Sequence, residues 1–208
     1  MDTKTPAKMK LIEWSAAARP MDGQMVSGDF HVIEPLKHGT LVAVIDGVGH
    51  GEEASAVAQA AAVILKKHAD ESVISLIRHC HVALAKTRGA VMTLATLEAP
   101  DDTMTWSGVG NVEARLLRAE SSAAYPHESV LLRGGLVGYQ LPALYASVVS
   151  ILPGDLLVLA TDGIHADFDR EINLHETVGQ IAQKILCRNF KGNDDALVLV
   201  VRYLGKAT

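Results

Sequence analysis

The run Leu41-Val42-Ala43-Val44-Ile45-Asp46-Gly47-Val48-Gly49-His50-Gly51 sets how the chain is read: an unbroken apolar stretch, a carboxylate, then glycines alternating with other residues. The apolar stretch has the length and branching of a buried strand, which places Asp46 where the core meets water. Leu156-Leu157-Val158-Leu159-Ala160 followed by Thr161-Asp162-Gly163 repeats the form, and Ser27-Gly28-Asp29 and Asn193-Asp194-Asp195 add two acidic patches beside apolar runs. Carboxylates drawn together raise one another's pKa, so an ionised cluster needs a cation to be tolerable. Oxygen donors without a matching His or Cys set suit Mg²⁺ or Mn²⁺.

Working outward, Leu11 to Ser15 and Asp29 to Glu34 read as strands, the second ending at Pro35 and the turn Lys37-His38-Gly39, with Leu41 to Ile45 as its hairpin partner. Ala54, Val57, Ala58, Ala61, Ile64 and Leu65 fall on one face of a helix spanning about Glu52 to His68. Asp70 is the expected N-cap of a second helix, whose stripe is Val73, Leu76, Ile77, Cys80 and Leu84 before Arg88-Gly89. Val91 to Leu97, Thr103 to Gly108 and Val112 to Arg118 outline a β-meander. Ala119 to Pro142 reads mostly as loop, with Val130-Leu131-Leu132 as a short strand. Tyr145 to Ile151 and Leu156 to Thr161 flank Pro153-Gly154-Asp155, a hairpin signal. A third helix is expected over Leu174 to Leu186, facing inward through Val178, Ile181, Ala182, Ile185 and Leu186, and a last strand over Ala196 to Tyr203. This order departs from strict βα alternation and predicts an α+β sandwich of antiparallel sheets flanked by helices.

The chain of 208 residues is 49% hydrophobic, enough for a sizeable core, and is expected to form one domain over residues 1–208. A net charge of −5 with no basic run longer than Lys66-Lys67 argues against nucleic acid as a partner. Cys80 and Cys187 sit in helical patterns, the usage of a reducing compartment, and are expected to pack in the core. Met1-Asp2-Thr3-Lys4 lacks a signal-peptide profile and no apolar run approaches the ~20 residues that span a bilayer, so a cytoplasmic location without membrane contact is expected.

Gly28-Asp29, Asp46-Gly47-Val48-Gly49-His50-Gly51, Gly108-Val109-Gly110-Asn111, Thr161-Asp162-Gly163 and Asp194-Asp195 together resemble the motif series of the metal-dependent PPM (protein phosphatase 2C) family, in its compact bacterial SpoIIE-type branch. The resemblance covers about residues 25 to 203. It implies a four-layer α-β-β-α sandwich and a serine/threonine phosphoprotein phosphatase using two Mn²⁺ or Mg²⁺ ions. By the same resemblance Asp46 bridges the ions with the Gly47 carbonyl on one of them. Asp162 and Asp194 complete the first metal, and Asp29 serves the second directly or through water. The implied attacking group is a metal-bridging hydroxide, in line with the phosphorus. The resemblance implies no covalent enzyme intermediate, and in keeping with that neither cysteine lies in a Cys-five-residues-Arg loop. Arg88-Gly89-Ala90 and the lack of a sensor module resemble stressosome phosphatases, which implies phosphorylated STAS-domain proteins as partners in bacterial stress signalling.

The chain departs from the pattern in having Leu197 where relatives carry a Thr, which removes a side-chain hydrogen bond. The arginine that some relatives use for phosphate has only Arg19 as a counterpart, ten residues before Asp29, and the region after Asn111 is short for a flap. His50 has two readings, proton donor to the leaving serine oxygen or a packing or capping residue of the next helix. Asn111 orients substrate or a second-shell water, or fills a left-handed turn after Gly110. His79 and His81, two apart on a helix, read as surface residues rather than a ligand pair. Two other functions fit the same scaffold: a catalytically weak phosphoprotein-binding subunit, and a hydrolase of small phosphoesters.

Overall fold

Leu41, Ala43 and Ile45 pack into one apolar cluster while Val42 and Val44 pack into another, so this strand is a wall between two cores. The computed structural model describes residues 11–120 and 127–205. In chain order these form β1 (Ile12–Arg19), β2 (Asp29–Pro35), β3 (Gly39–Gly47), α1 (Gly51–Lys67), α2 (Val73–Ala83), β4 (Ala90–Glu98), β5 (Thr103–Val109), β6 (Glu113–Leu117), β7 (His127–Ser129), β8 (Leu132–Arg133), β9 (Ser147–Ser150), β10 (Leu156–Ala160), α3 (Val178–Asn189) and β11 (Ala196–Tyr203).

One sheet runs β1-β11-β10-β6-β7 and the other β2-β3-β4-β5-β8, with β9 on β5; every pairing is antiparallel except β5–β8. Period-two burial sorts the strands between layers. Along β10, Leu157 and Leu159 join the core between the sheets, while Leu156, Val158 and Ala160 face the core under α3; β11 divides the same way. The α1 and α2 stripes cover the outer face of the other sheet. The result is the expected α-β-β-α sandwich. Each fully buried Val, Leu or Ile here contributes about 1.5–3 kcal/mol.

Several expectations are corrected. Pro153-Gly154-Asp155 does turn, but β9 and β10 belong to different sheets and form no hairpin. Asp155 is the reason: its buried carboxylate accepts from Arg118 at 2.8 Å and from the Ala119 and Leu152 amides at 2.9 and 3.0 Å, anchoring the chain where it changes sheet. The meander stops after β4–β5, since β6 crosses to the other sheet and pairs β10 there. Asp70 does not cap α2; Ser72 does, accepting from the Ser75 amide at 3.2 Å. Leu174 precedes α3, which starts behind a capping box of Thr177 and Gln180. Val130 and Leu131 lie between β7 and β8. Cys80 is buried as expected, but Cys187 is exposed. The expectation about Met1 to Lys4 lies outside the described residues, and among those described no helix is long and apolar enough to cross a membrane.

Candidate metal centre

The β2–β3 register sets Asp29 directly opposite Asp46 at one end of their sheet. At the same end of the other sheet, β10 exits into Thr161-Asp162 and β11 is entered from Asp194-Asp195; the Thr161 amide donates to the Leu197 carbonyl at 3.1 Å and holds exit beside entry. Asp46 is repelled by Asp162, Asp194 and Asp195, and Asp29 by Asp46, Asp195 and Asp194, so residues far apart in sequence form one acidic mouth between the sheets. Each sheet contributes two of the expected ligands.

Electrostatics match that crowding. Asp29, 8% exposed, has its pKa raised well above the carboxylate range by burial first and by Asp46 next. Asp46 is pushed up to about 7 by burial and then by Asp162, Asp194 and Asp195. Asp162 is raised by burial and by Asp194, against the opposing charge of Lys191 and a hydrogen bond from Asn111. Buried like charges with oxygen donors only are the donor chemistry that fits Mg²⁺ or Mn²⁺, which would let all of them ionise.

Close backbone contact shapes the mouth. Gly47 lies so near the Ala54 carbonyl at the start of α1 that a Cβ would collide with it. At Gly28 a Cβ would stand 2.7 Å from Ala54 Cβ and 3.3 Å from the Gly47 carbonyl oxygen. Glycine alone permits this packing, which fixes the Gly47 carbonyl beside the acidic group.

Sequence reasoning missed the groups that hold the mouth in shape. Asp195 is 3% exposed and accepts from the Gly28 amide at 2.6 Å and the Met21 amide at 2.8 Å, tying the loop before β2 to the start of β11. Thr161 Oγ1 donates to Asp29 Oδ2 at 2.7 Å and accepts from the Leu197 amide at 2.8 Å. The chain thus hydrogen-bonds Asp29 from the residue that follows β10, although Leu197 has no hydroxyl of its own. Lys191 Nζ donates to the Asp162 carbonyl at 2.6 Å. Adjacent Asp-Asp and Thr-Asp pairs were the only sequence signals for the first two.

Asn111 Nδ2 donates to Asp162 Oδ2 at 2.7 Å. The left-handed step belongs to Gly110, at φ 94°; among the described residues Lys86 and Asp102 are the non-glycine positions with positive φ, so Asn111 does not fill such a turn. His50 is the N-cap residue of α1, but its exposed side chain makes no capping hydrogen bond. Arg19 is engaged elsewhere, 2.9 Å from Asp22 and stacked 4.4 Å over the Phe190 ring. Arg88 pairs with Glu53 beside Gly49, and the Val48 amide donates to the Gly89 carbonyl at 3.1 Å, so the Arg88-Gly89 turn braces the glycine-rich loop. His79 and His81 are partly exposed on α2, and His81 Nδ1 accepts from the Gly138 amide at 3.0 Å.

A family model described as Stage II sporulation protein E (SpoIIE) matches residues 37–204. The phosphoserine phosphatase RsbX of Bacillus subtilis (strain 168) is 26% identical over 165 residues, 79% of each chain. A crystal structure of RsbX in complex with magnesium superposes with a TM-score of 0.83 at 20% identity, over 95% of this chain and 98% of that one. A structure described under the bacterial stressosome, "a modular system that has been adapted to control secondary messenger signaling", superposes with a TM-score of 0.83 at 26% identity, over 93% of this chain and 100% of that one.

Proposed function

The chain belongs to the SpoIIE family of PPM-type phosphatases, and from that premise we propose that it removes phosphate from phosphoserine and phosphothreonine in STAS-domain proteins of a stressosome-type complex in the cytoplasm. The carrying observation is the acidic mouth, where Asp29, Asp46, Asp162 and Asp194 meet from both sheets. The likeness to RsbX and to a structure from the stressosome supports the substrate class.

Asp46, with the Gly47 carbonyl, Asp162, Asp194 and Asp29, would hold two Mg²⁺ or Mn²⁺ ions. When bound, such a pair supplies Lewis acidity that activates a water and neutralises phosphate oxygens. The chain's own residues do the rest. Asp46 carries the central negative charge, with its partner carboxylates on either side. Thr161 and Asn111 restrain Asp29 and Asp162 by hydrogen bonds of 2.7 Å each, which lowers the ordering cost of presenting these carboxylates to an ion. Asp195 ties both ends of the 21–28 loop to the start of β11. His50, exposed at the start of α1, is the candidate donor of a proton to the leaving oxygen.

The test is hydrolysis of p-nitrophenyl phosphate and of a phosphoserine STAS protein, each with and without Mn²⁺ and with Asp46→Asn as control. Turnover of the phosphoprotein that needs the cation and Asp46 supports the proposal. Activity surviving chelator or the substitution overturns it. Phosphoprotein binding without turnover points instead to a binding subunit, and preference for the small ester to a small-phosphoester hydrolase.

A further inference from the structure

Metal-ligating side chains also converge away from the acidic mouth. His68 caps the C-terminus of α1, Glu71 stands in the turn that follows, and His79 lies in α2. His68 Nδ1 is 2.9 Å from Glu71 Oε1, and His79 Nε2 is 2.9 Å from Oε2 of the same carboxylate. The imidazoles stack with centroids 4.2 Å apart and planes 14° from parallel. One donor atom from each residue lies within 4.8 Å of the others. We propose that His68, Glu71 and His79 are a Zn²⁺ site that pins the end of α1 to the middle of α2.

The donor set decides the cation. Two imidazole nitrogens and one carboxylate oxygen suit Zn²⁺, whereas the all-oxygen mouth suits Mg²⁺ or Mn²⁺. Ligand bonds of about 2.0–2.2 Å in a tetrahedron put donor atoms about 3.3 Å apart with both ring lone pairs aimed at one point, so the two rings, now stacked and bonded to different oxygens of Glu71, turn out of the stack when the ion binds. The side chains are 27%, 42% and 41% exposed, which leaves an entry path and a fourth position for water without burying charge.

The backbones that carry the rings are held before any ion arrives. The helices that carry them pack through the α1 and α2 stripes, and Cys80, next to His79, points its Sγ at the Ala61 carbonyl, 3.8 Å away. Since α1 begins directly after the glycine-rich loop and its Ala54 lies against Gly47, a cation at the far end of the helix pair stiffens the support of the acidic mouth without touching it.

The test is a zinc titration of the intact protein in saturating Mg²⁺, with a chromophoric zinc chelator as competitor. The expected result is about one Zn²⁺ per chain, with affinity lowered at least about tenfold in His79→Ala and in Glu71→Gln and unchanged in Asp46→Asn. Circular dichroism checks that each variant is folded, and Co²⁺ in place of Zn²⁺ is expected to give tetrahedral visible bands in the parent and none in His79→Ala. Loss of zinc to the chelator, or binding that survives both substitutions, overturns the proposal and leaves the cluster a hydrogen-bonded clamp only.

Discussion

Thr161 Oγ1 sits between two strands' worth of machinery, donating to Asp29 Oδ2 at 2.7 Å and accepting from the Leu197 amide at 2.8 Å. Thr161→Val keeps the shape and deletes both bonds, leaving a buried carboxylate oxygen and a buried amide unpaired. The expected cost is about 1–3 kcal/mol of stability and a cation requirement raised about 10–100-fold, read from thermal unfolding and from the Mn²⁺ dependence of turnover. Thr161→Ser is expected to restore most of both; a Val variant with unchanged cation dependence would contradict the role.

Asp46→Asn removes the charge at the centre of the mouth. Turnover of a phosphoserine protein is expected to fall at least about 10²-fold while the fold persists, measured as kcat at saturating Mn²⁺ alongside circular dichroism. Retention of parental kcat would dismiss Asp46 from the chemistry.

The same residue sets a pH dependence. Folded, Asp46 holds its proton up to about 7, and Asp29 and Asp162 are raised as well, whereas the unfolded chain releases such protons near about 4. Between those values the folded state binds more protons, so without metal its stability declines as pH rises from about 4 to about 7. Unfolding midpoints in chelator are expected to drop across that window, and less so in saturating Mg²⁺ or in Asp46→Asn. A midpoint that climbs with pH in chelator would refute this.

Asp195 accepts from the Gly28 and Met21 amides, and so acts on the mouth through the backbone. Asp195→Ala is expected to weaken Mn²⁺ activation about 10–100-fold and to raise proteolysis within residues 21–28, while Asp195→Asn, which keeps one acceptor oxygen, is expected to recover part of both. Equal losses in the two variants would assign the effect to charge rather than to loop positioning.

Asp155 tests the scaffold apart from the chemistry, because it precedes β10 whereas Asp162 follows it. Its side chain is 1% exposed and pairs with an Arg118 side chain that is 15% exposed. Asp155→Ala leaves the Ala119 and Leu152 amides without their acceptor and Arg118 with Glu128 as its remaining carboxylate, and is expected to cost about 1–3 kcal/mol in denaturant unfolding, with kcat per folded molecule unchanged. A loss below about 1 kcal/mol would show the pair to behave like a surface bridge.

The layers were legible where burial is periodic. Leu41 to Ile45 and Ala196 to Tyr203 announce strands apolar on both sides, and the stripes from Ala54 and from Val73 announce helices that cover one face. Asp29, Asp46, Asp162 and Asp194 stand out because each interrupts or borders such a run. Sheet membership was not legible: a Pro-Gly-Asp turn is the same local object whether its strands pair or part, and here the Arg118 contact and the register of β11 decide. Nor could spacing reveal that Thr161 would reach Asp29 or that Asp195 would reach Gly28, since these bonds depend on how two separately formed sheets come together. Cys187 misled because a helical pattern says that a residue is on a helix before it says which side it takes.

The division of the carboxylates, two on each sheet, gives the cations a mechanical meaning. On the proposed ligand set, an ion held by Asp46 on one side and by Asp162 or Asp194 on the other would be a rivet through both plates of the sandwich. Catalytic competence and the tightness of that rim would then rise and fall on the same magnesium or manganese concentration, and a cell short of the ion would have an enzyme that gapes as well as one that idles.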